Sequence, residues 1–278
     1  MIIGIVGLGL IGGSMAKSIK KRTEHTVLGA DISGETLTLA LMSGGIDAEL
    51  TTDNIRDCDL ILLAVGPDAA IEWAKNNADL ISSDAVLIDL CGVKRAVCDA
   101  LRPLAEKHSF AYIGGHPMAG KEVGGYVNSS DELFRGAYMI LTPDENTDIV
   151  LLEKLQRFFI SVGFKKLTFT TPEEHDRIMS YTSQLAHITS SAYVKSPTAQ
   201  EHLGFSAGSF RDMTRVARLD PAMWTRLFSL NRDYLLPEIK TLITNLTAYA
   251  DALESGDDAE LRRLLEDGLN KKLTAGGI

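Results

Sequence analysis

A chain of 278 residues with 45% hydrophobic and 23% charged residues and 24 glycines has the composition of an ordinary globular protein, long enough for two domains and neither fibrous nor disordered. Its formal net charge of −9 argues against a nucleic-acid partner, because binding phosphates requires a basic face. Cys58, Cys91 and Cys98 lack paired metal spacing, so neither a metal nor a disulfide framework is expected, and reduced thiols in a cytoplasm are; no apolar run reaches the ~20 residues that span a bilayer, and the first one has its lysines behind it, the reverse of a signal peptide.

In chain order, short continuous apolar runs alternate with amphipathic stretches, the pattern of a parallel sheet covered by helices on both faces. Strands are predicted at Ile2–Val6, Thr26–Ala30, Leu60–Val65, Ala85–Leu90, Ala111–Gly115 and Tyr138–Leu141, with a last extended piece at Lys165–Thr170. Helices are predicted between them at Gly12–Lys20, Gly34–Ser43, Pro67–Ala78, Lys94–Glu106 and Ile149–Val162. From Pro172 onward the texture is helical: Pro172–Val194, Ser206–Leu219, a long stretch Pro221–Leu253 bent at Pro237, and Asp257–Leu273. The predicted fold is therefore α/β, a doubly wound Rossmann-type parallel sheet in residues 1–170, followed by an all-helical domain in residues 171–278.

Gly7-Leu8-Gly9-Leu10-Ile11-Gly12 is a G-x-G-x-x-G placed directly after a strand and directly before a helix, the context that gives this motif its meaning. Gly7 allows the tight turn, Gly9 the approach of a pyrophosphate, and Gly12 the close packing of helix on strand. The helix start offers free N–H groups to the anion. Asp31, at the end of the second strand, is placed to accept hydrogen bonds from the adenosine ribose and to repel a 2′-phosphate, so NAD is expected in preference to NADP. Val65 and Pro67, where the next strand gives way to its helix, complete the expected cofactor-binding set.

His116 lies just beyond a strand, in Gly114-Gly115-His116-Pro117-Met118-Ala119-Gly120-Lys121-Glu122. In an open parallel sheet the carboxyl edge is where ligands bind, and the flanking glycines and proline hold the chain. The imidazole is thus a candidate catalytic group. Arg211, Arg215 and Arg218 recur at helical spacing, which fits a solvated helix face with Asp212 as partner as well as it fits an anion clamp.

Taken together, GIVGLGLIGGS at the amino terminus, DLCGVK at 89–94, GGHPMAGKE at 114–122 and SFRDMTRVARLDPAMW at 209–224 resemble the prephenate and arogenate dehydrogenase family across essentially the whole chain. The resemblance implies oxidative decarboxylation of prephenate with NAD on the route to tyrosine, in the single-activity form without a chorismate mutase or ACT-type segment. It implies His116 as the catalytic residue on the ring 4-hydroxyl, Glu122 as an acid at the pocket mouth, Arg215 as the arginine on a substrate carboxylate, and His187 as a histidine near the substrate ring. Two positions depart from the family pattern. Gly92 stands where many members place a serine beside the catalytic histidine, so that a water or Cys91 would have to orient His116, and Gln184 stands where some have another histidine; both positions are counted as substrate-binding. Lys94 is a further candidate in the same motif.

Apolar positions Met223, Leu227, Leu230, Tyr234, Leu242, Leu246, Tyr249 and Leu253 recur at helical spacing and offer more apolar surface than a small helical domain covers. A homodimer through the helical domain is expected, as the resemblance also implies. Competing readings are arogenate as the substrate, a 3-hydroxy-acid dehydrogenase, for which Lys195 beside Ser196-Pro197 is a poor catalytic lysine, and a non-catalytic NAD-sensing module.

Overall fold

The computed structural model describes residues 1–275. Its sheet is built from β1 (Ile2–Val6), β2 (Thr26–Ala30), β3 (Ala48–Glu49), β4 (Leu60–Leu63), β5 (Val86–Asp89), β6 (Ala111–Pro117), β7 (Tyr138–Thr142) and β8 (Lys166–Phe169). These eight strands lie in the order β3-β2-β1-β4-β5-β6-β7-β8. Interleaved are the helices α1 (Leu10–Arg22), α2 (Gly34–Met42), α3 (Pro67–Asn77), α4 (Arg95–His108) and α5 (Ile149–Ser161). The doubly wound plan expected from the sequence is thus present, with the order reversing at β1, between β2 and β4. The crevice beyond the carboxyl ends at such a switch point is where α/β sheets bind ligands.

The sheet is buried on both faces. Ile61 and Leu63 point into one layer with Ala70 and Ala74 of α3 and Val97 and Leu101 of α4, while Leu60, Leu62 and Ile88 point into the other with Met15 and Ile19 of α1 and Phe158 and Phe159 of α5. This two-residue alternation within continuous apolar runs explains why β4 and β5 read as unbroken hydrophobic stretches.

The sheet departs from the sequence reading in two places. A two-residue strand, β3, pairs with β2 at the edge; it is too short to leave a periodic signal. β7 runs antiparallel to β6, because the 118–137 connection contains only a single 3₁₀ turn, Tyr126–Asn128, and no crossover helix to return the chain in the parallel sense.

Beyond β8 the chain forms α6 (Pro172–Met179), a π-helical stretch Ser180–Leu185, α7 (Ala186–Tyr193), α8 (Gly208–Thr214) with a 3₁₀ turn Arg215–Ala217, α9 (Pro221–Leu230), α10 (Arg232–Ser255) and α11 (Asp258–Thr274). The single helix expected over Pro172–Val194 is interrupted by the π turn. The bend expected at Pro237 is also displaced: the helix breaks at Asn231, and α10 runs on through Pro237. Asn231 is fully buried and its side chain serves other partners.

The chain divides into two compact units, Met1–Asn231 and the part from Arg232 onward. The expected change of texture near residue 170 coincides with the end of β8 at Phe169. The first compact unit nevertheless extends to Asn231, because polar groups on α6 and at Asn231 are bonded to the start of α4, as described below.

Candidate active site

The glycine loop forms because no other residue fits two of its corners. Gly7 has φ +86°, and a Cβ there would lie 2.4 Å from Val65 Cγ1. A Cβ at Gly12 would come within 1.8 Å of the Gly7 carbonyl oxygen, which is how close α1 packs to β1. At Gly9, in contrast, a Cβ would meet nothing within 4 Å, so this side of the turn is an open cradle that a side chain would fill. Gly9 caps α1 without a side-chain hydrogen bond, and the first turn, starting at Leu10 and Ile11, carries no acid. Its N–H groups therefore remain available to an anion.

Asp31 closes the same corner. Its Oδ2 accepts from the Leu8 N–H at 2.7 Å and its Oδ1 from the Ser33 N–H at 2.9 Å, which fixes the carboxylate beside the glycine loop. Val65 is half-buried against Gly7, whereas Pro67 is buried at the first position of α3. These residues fit a dinucleotide: an open backbone cradle, an unneutralised helix start and an acid beside the loop. Asp31→Ala is expected to raise the apparent constant for NAD; the check is a titration with NAD and NADP, and an unchanged NAD value would reject the role.

The loop after β6 is tied to this corner. Lys17 of α1 donates to the carbonyls of Tyr126 and Ser129 at 3.4 and 3.1 Å, and the Ser130 N–H donates to Ser14 Oγ at 3.0 Å. His116 is the penultimate residue of β6, inside the strand and not beyond it as the sequence suggests, because the pairing with β7 continues through Pro117, and it pairs with Ile140. Its Nδ1 lies 2.9 Å from His175 Nε2 on α6. His175 Nδ1 in turn lies 2.8 Å from Asp176 Oδ1. The Asp176 carboxylate also accepts the backbone N–H groups of Lys94 at 2.7 Å and Arg95 at 3.0 Å, and Arg95 Nε at 3.3 Å. Burial, then the nearby charges of His175 and Lys94, push His116 well below the ordinary histidine range. Burial also lowers His175, although Asp176 pulls it upward. Against the upward push of burial, the hydrogen bonds from His175, Lys94 and Arg95 hold the Asp176 carboxyl below its usual range.

The other ring nitrogen of His116 faces Gly92: a Cβ built there would sit 4.0 Å from His116 Nε2 and 3.7 Å from the Leu227 methyls of α9. The space a serine would use is thus present and bare. Cys91 does not orient His116. Its thiol is turned to the Val65 carbonyl at 3.4 Å and its N–H to Asp89 at 3.0 Å, so the expected substitute is replaced by His175, which the sequence reading did not single out.

His187 of α7 bonds through Nδ1 to the Ser183 carbonyl at 2.8 Å and lies against Trp224 of α9, the rings tilted by 30° at 4.0 Å between centroids. Its pKa is lowered by burial. Arg215 reaches Glu122 at 3.0 Å, both side chains being largely exposed. The pair joins the histidine loop to the turn after α8, and the Arg215 guanidinium offers further donors to an anion. Arg226 of α9 makes a two-pronged ion pair with Asp68 in the first turn of α3, at 2.7 and 2.6 Å.

Two candidates are buried beside this centre. Gln184, in the π stretch, is buried, and its oxygen accepts from Asn231 Nδ2 at 2.9 Å; Asn231 Nδ2 also donates to the Asp176 carbonyl, and Arg95 donates to Asn231 Oδ1 at 3.0 Å. The Gln184 amide oxygen is therefore committed to this internal network. Lys94 is fully buried, with Nζ on Asp89 and on the Gly115 carbonyl. Among the described residues no cluster suited to a metal ion is found.

Comparison with known proteins identifies the family. Residues 15–167 match the family model for the prephenate dehydrogenase nucleotide-binding domain, and residues 171–267 match that for the prephenate dehydrogenase dimerization domain. The chain is 32% identical over 269 residues to prephenate dehydrogenase of Bacillus subtilis, covering 93% of this chain and 72% of that one. Among solved structures, prephenate dehydrogenase of A. aeolicus in complex with hydroxyphenyl propionate and NAD+ superposes with a TM-score of 0.86 at 29% identity, covering 99% of this chain and 98% of that one. Arogenate dehydrogenase of Synechocystis superposes with a TM-score of 0.80 at 26% identity, covering 99% of this chain and all, 100%, of that one. On its glycine loop, its histidine centre and these matches, the chain belongs to the prephenate dehydrogenase family.

Proposed function

We propose that this chain is an NAD-dependent prephenate dehydrogenase, converting prephenate to 4-hydroxyphenylpyruvate and carbon dioxide in tyrosine biosynthesis. The observation that carries the reading is the orientation of His116: Nδ1 is held by His175, and Nε2 faces the bare space at Gly92. Bound NAD supplies the acceptor for the hydride that leaves ring carbon C4. His116 Nε2 takes the proton of the 4-hydroxyl as that carbon becomes a carbonyl; as carbon dioxide departs, the electrons of its bond to C1 pass through the ring to the C4 oxygen, which takes the proton back from His116 and leaves the aromatic phenol of the product. A neutral imidazole is the form this step requires. Burial of His116 favours that form.

In this reading Arg215 meets a substrate carboxylate through its planar fork, exchanging part of its pairing with Glu122, and His187 and Trp224 lie beside the ring. Gly7 to Gly12 and Asp31 hold the dinucleotide, and residues 1–170 and 171–278 serve as cofactor-binding and substrate-binding parts. Two relatives at 32% identity, both named prephenate dehydrogenase, support prephenate as the substrate, while a third at 30% is named cyclohexadienyl dehydrogenase. The test is reduction of NAD followed at 340 nm with prephenate and arogenate, each with NAD and NADP. Prephenate with NAD is expected to give the highest kcat/KM; faster turnover of arogenate would shift the substrate, and no reduction with either would reject the enzyme reading.

The protein works as a homodimer in the cytoplasm. Support for the dimer is the dimerization-domain match and the apolar side chains left exposed on α10 and α11, Ile243, Leu246, Leu253, Leu265, Leu269 and Leu273. Among the described residues no helix is long and apolar enough to cross a membrane, and the three buried cysteines are unpaired, as a reducing compartment would leave them. Light scattering at micromolar concentration is expected to give twice the 30.2 kDa of one chain; a mass of one chain would reject the dimer.

A further inference from the structure

We propose that His175, held by Asp176, is a positioning residue that selects which nitrogen of His116 serves as the base; the proposal rests on the reading of His116 given above. Among the described residues the Asp176 carboxylate is met by the Lys94 and Arg95 backbone N–H groups and the Arg95 guanidinium, all donors, and by His175 Nδ1. An ionised carboxylate can only accept, so His175 Nδ1 must carry its hydrogen. A neutral His175 then presents a lone pair at Nε2. At 2.9 Å from that lone pair, His116 Nδ1 must be the donor, and its own Nε2 is left without a hydrogen, facing Gly92. The hydrogen-bond chain from Asp176 through His175 thus sets the tautomer of the proton acceptor.

Among the described residues His175 is the only hydrogen-bond partner of the His116 ring, because Cys91 is turned away and Gly92 has no side chain. Both His175 and Asp176 are buried, so water does not compete for their polar atoms. Asp176 is itself anchored at the start of α4, which fixes the pair relative to β5 and β6. When the substrate proton reaches His116 Nε2, the ring becomes a cation whose Nδ1–H strengthens its bond to His175, and the Asp176 carboxylate lies behind it to favour that charge.

The test compares His175→Leu, which removes the acceptor, with His175→Gln, which retains an acceptor oxygen, together with ¹⁵N NMR of the His116 ring in the parent protein. His175→Leu is expected to lower kcat roughly 10–100-fold, the effect of losing the group that orients a functional histidine, with NAD affinity and the KM for prephenate preserved. His175→Gln is expected to recover part of the loss. In the parent protein the neutral His116 ring should carry its hydrogen on Nδ1. A parental kcat in His175→Leu, or a hydrogen on Nε2 in the parent, would overturn the proposal; should His175→Leu fail to fold, the NMR measurement decides alone. Parental turnover in His116→Asn would instead remove the reading of His116 as the base, to which the tautomer measurement is blind.

Discussion

His116→Asn is expected to lower turnover by ~10²–10⁴-fold, the contribution of a positioned general base, while NAD affinity is kept. Asparagine cannot take a proton at neutral pH, yet its amide can still bond to His175, so the β6 edge should hold. The glycine loop and Asp31 do not touch residue 116, so a titration with NAD separates lost chemistry from lost folding. Turnover reduced less than tenfold would reject the base. The pH dependence carries a sign as well. With His116 held well below the ordinary ~6.5, the acid limb of activity should lie below that value, and no loss is expected between pH 7 and 8. Stability follows the same direction. The unfolded chain, with ordinary histidines, binds more protons than the folded one, in which His116 and His175 are both lowered. Their contribution is therefore fully present above pH ~6.5 and is lost as pH falls through the folded values, which a series of melting curves would record.

What the sequence made legible was local. Gly7, Gly9 and Gly12 sit in one turn, and the strand before them and the helix after them are adjacent in sequence, so motif and context could be read together. His116 could be read because a strand end with glycines and a proline around it is likewise a local pattern. His175 was invisible for the opposite reason. It lies in the first turn of an ordinary acidic helix, capped by Thr171 through the Glu174 N–H, and next to Arg177 the acid at 176 reads as one more surface charge. Burial of both side chains follows from α6 packing against α4, a contact between segments 81 residues apart at Asp176 and Arg95. The available signal was weak: His175 and Met179, one helical turn apart, are on one buried face. Asn231 escaped in the same way, and Gln184, read as a substrate-binding position, came without its partner Asn231, since an amide in a helix does not reveal whether it faces a substrate or another amide. The direction of β7 was more accessible, because a glycine-rich connection without helical periodicity cannot make a parallel crossover.

Lys94→Met is expected to destabilise the protein by about 3–5 kcal/mol, the usual consequence of removing one partner of a buried ion pair. Lys94 stood in the sequence reading as a candidate for the site, but its side chain is fully buried between Asp89 and the Gly115 carbonyl, as is Asp89 itself. Burial pulls the Lys94 ammonium downward; the Asp89 charge outweighs it and leaves the group above its ordinary range, so the lysine keeps its charge at cell pH. Methionine has nearly the same length and fills the space, so cavity formation is a minor part of the loss. The remaining partners of Asp89, the Cys91 N–H at 3.0 Å and the Tyr112 hydroxyl at 2.7 Å, would have to stabilise a carboxylate with no counter-charge, and the Gly115 carbonyl would lose a donor one residue before His116. Denaturant unfolding would measure the loss, and a second change, Asp89→Asn, is expected to return part of it by removing the uncompensated charge. A loss below about 1 kcal/mol, the range of exposed pairs, would mean that the pair is not the tie between β5, α4 and β6 that holds the histidine strand in place.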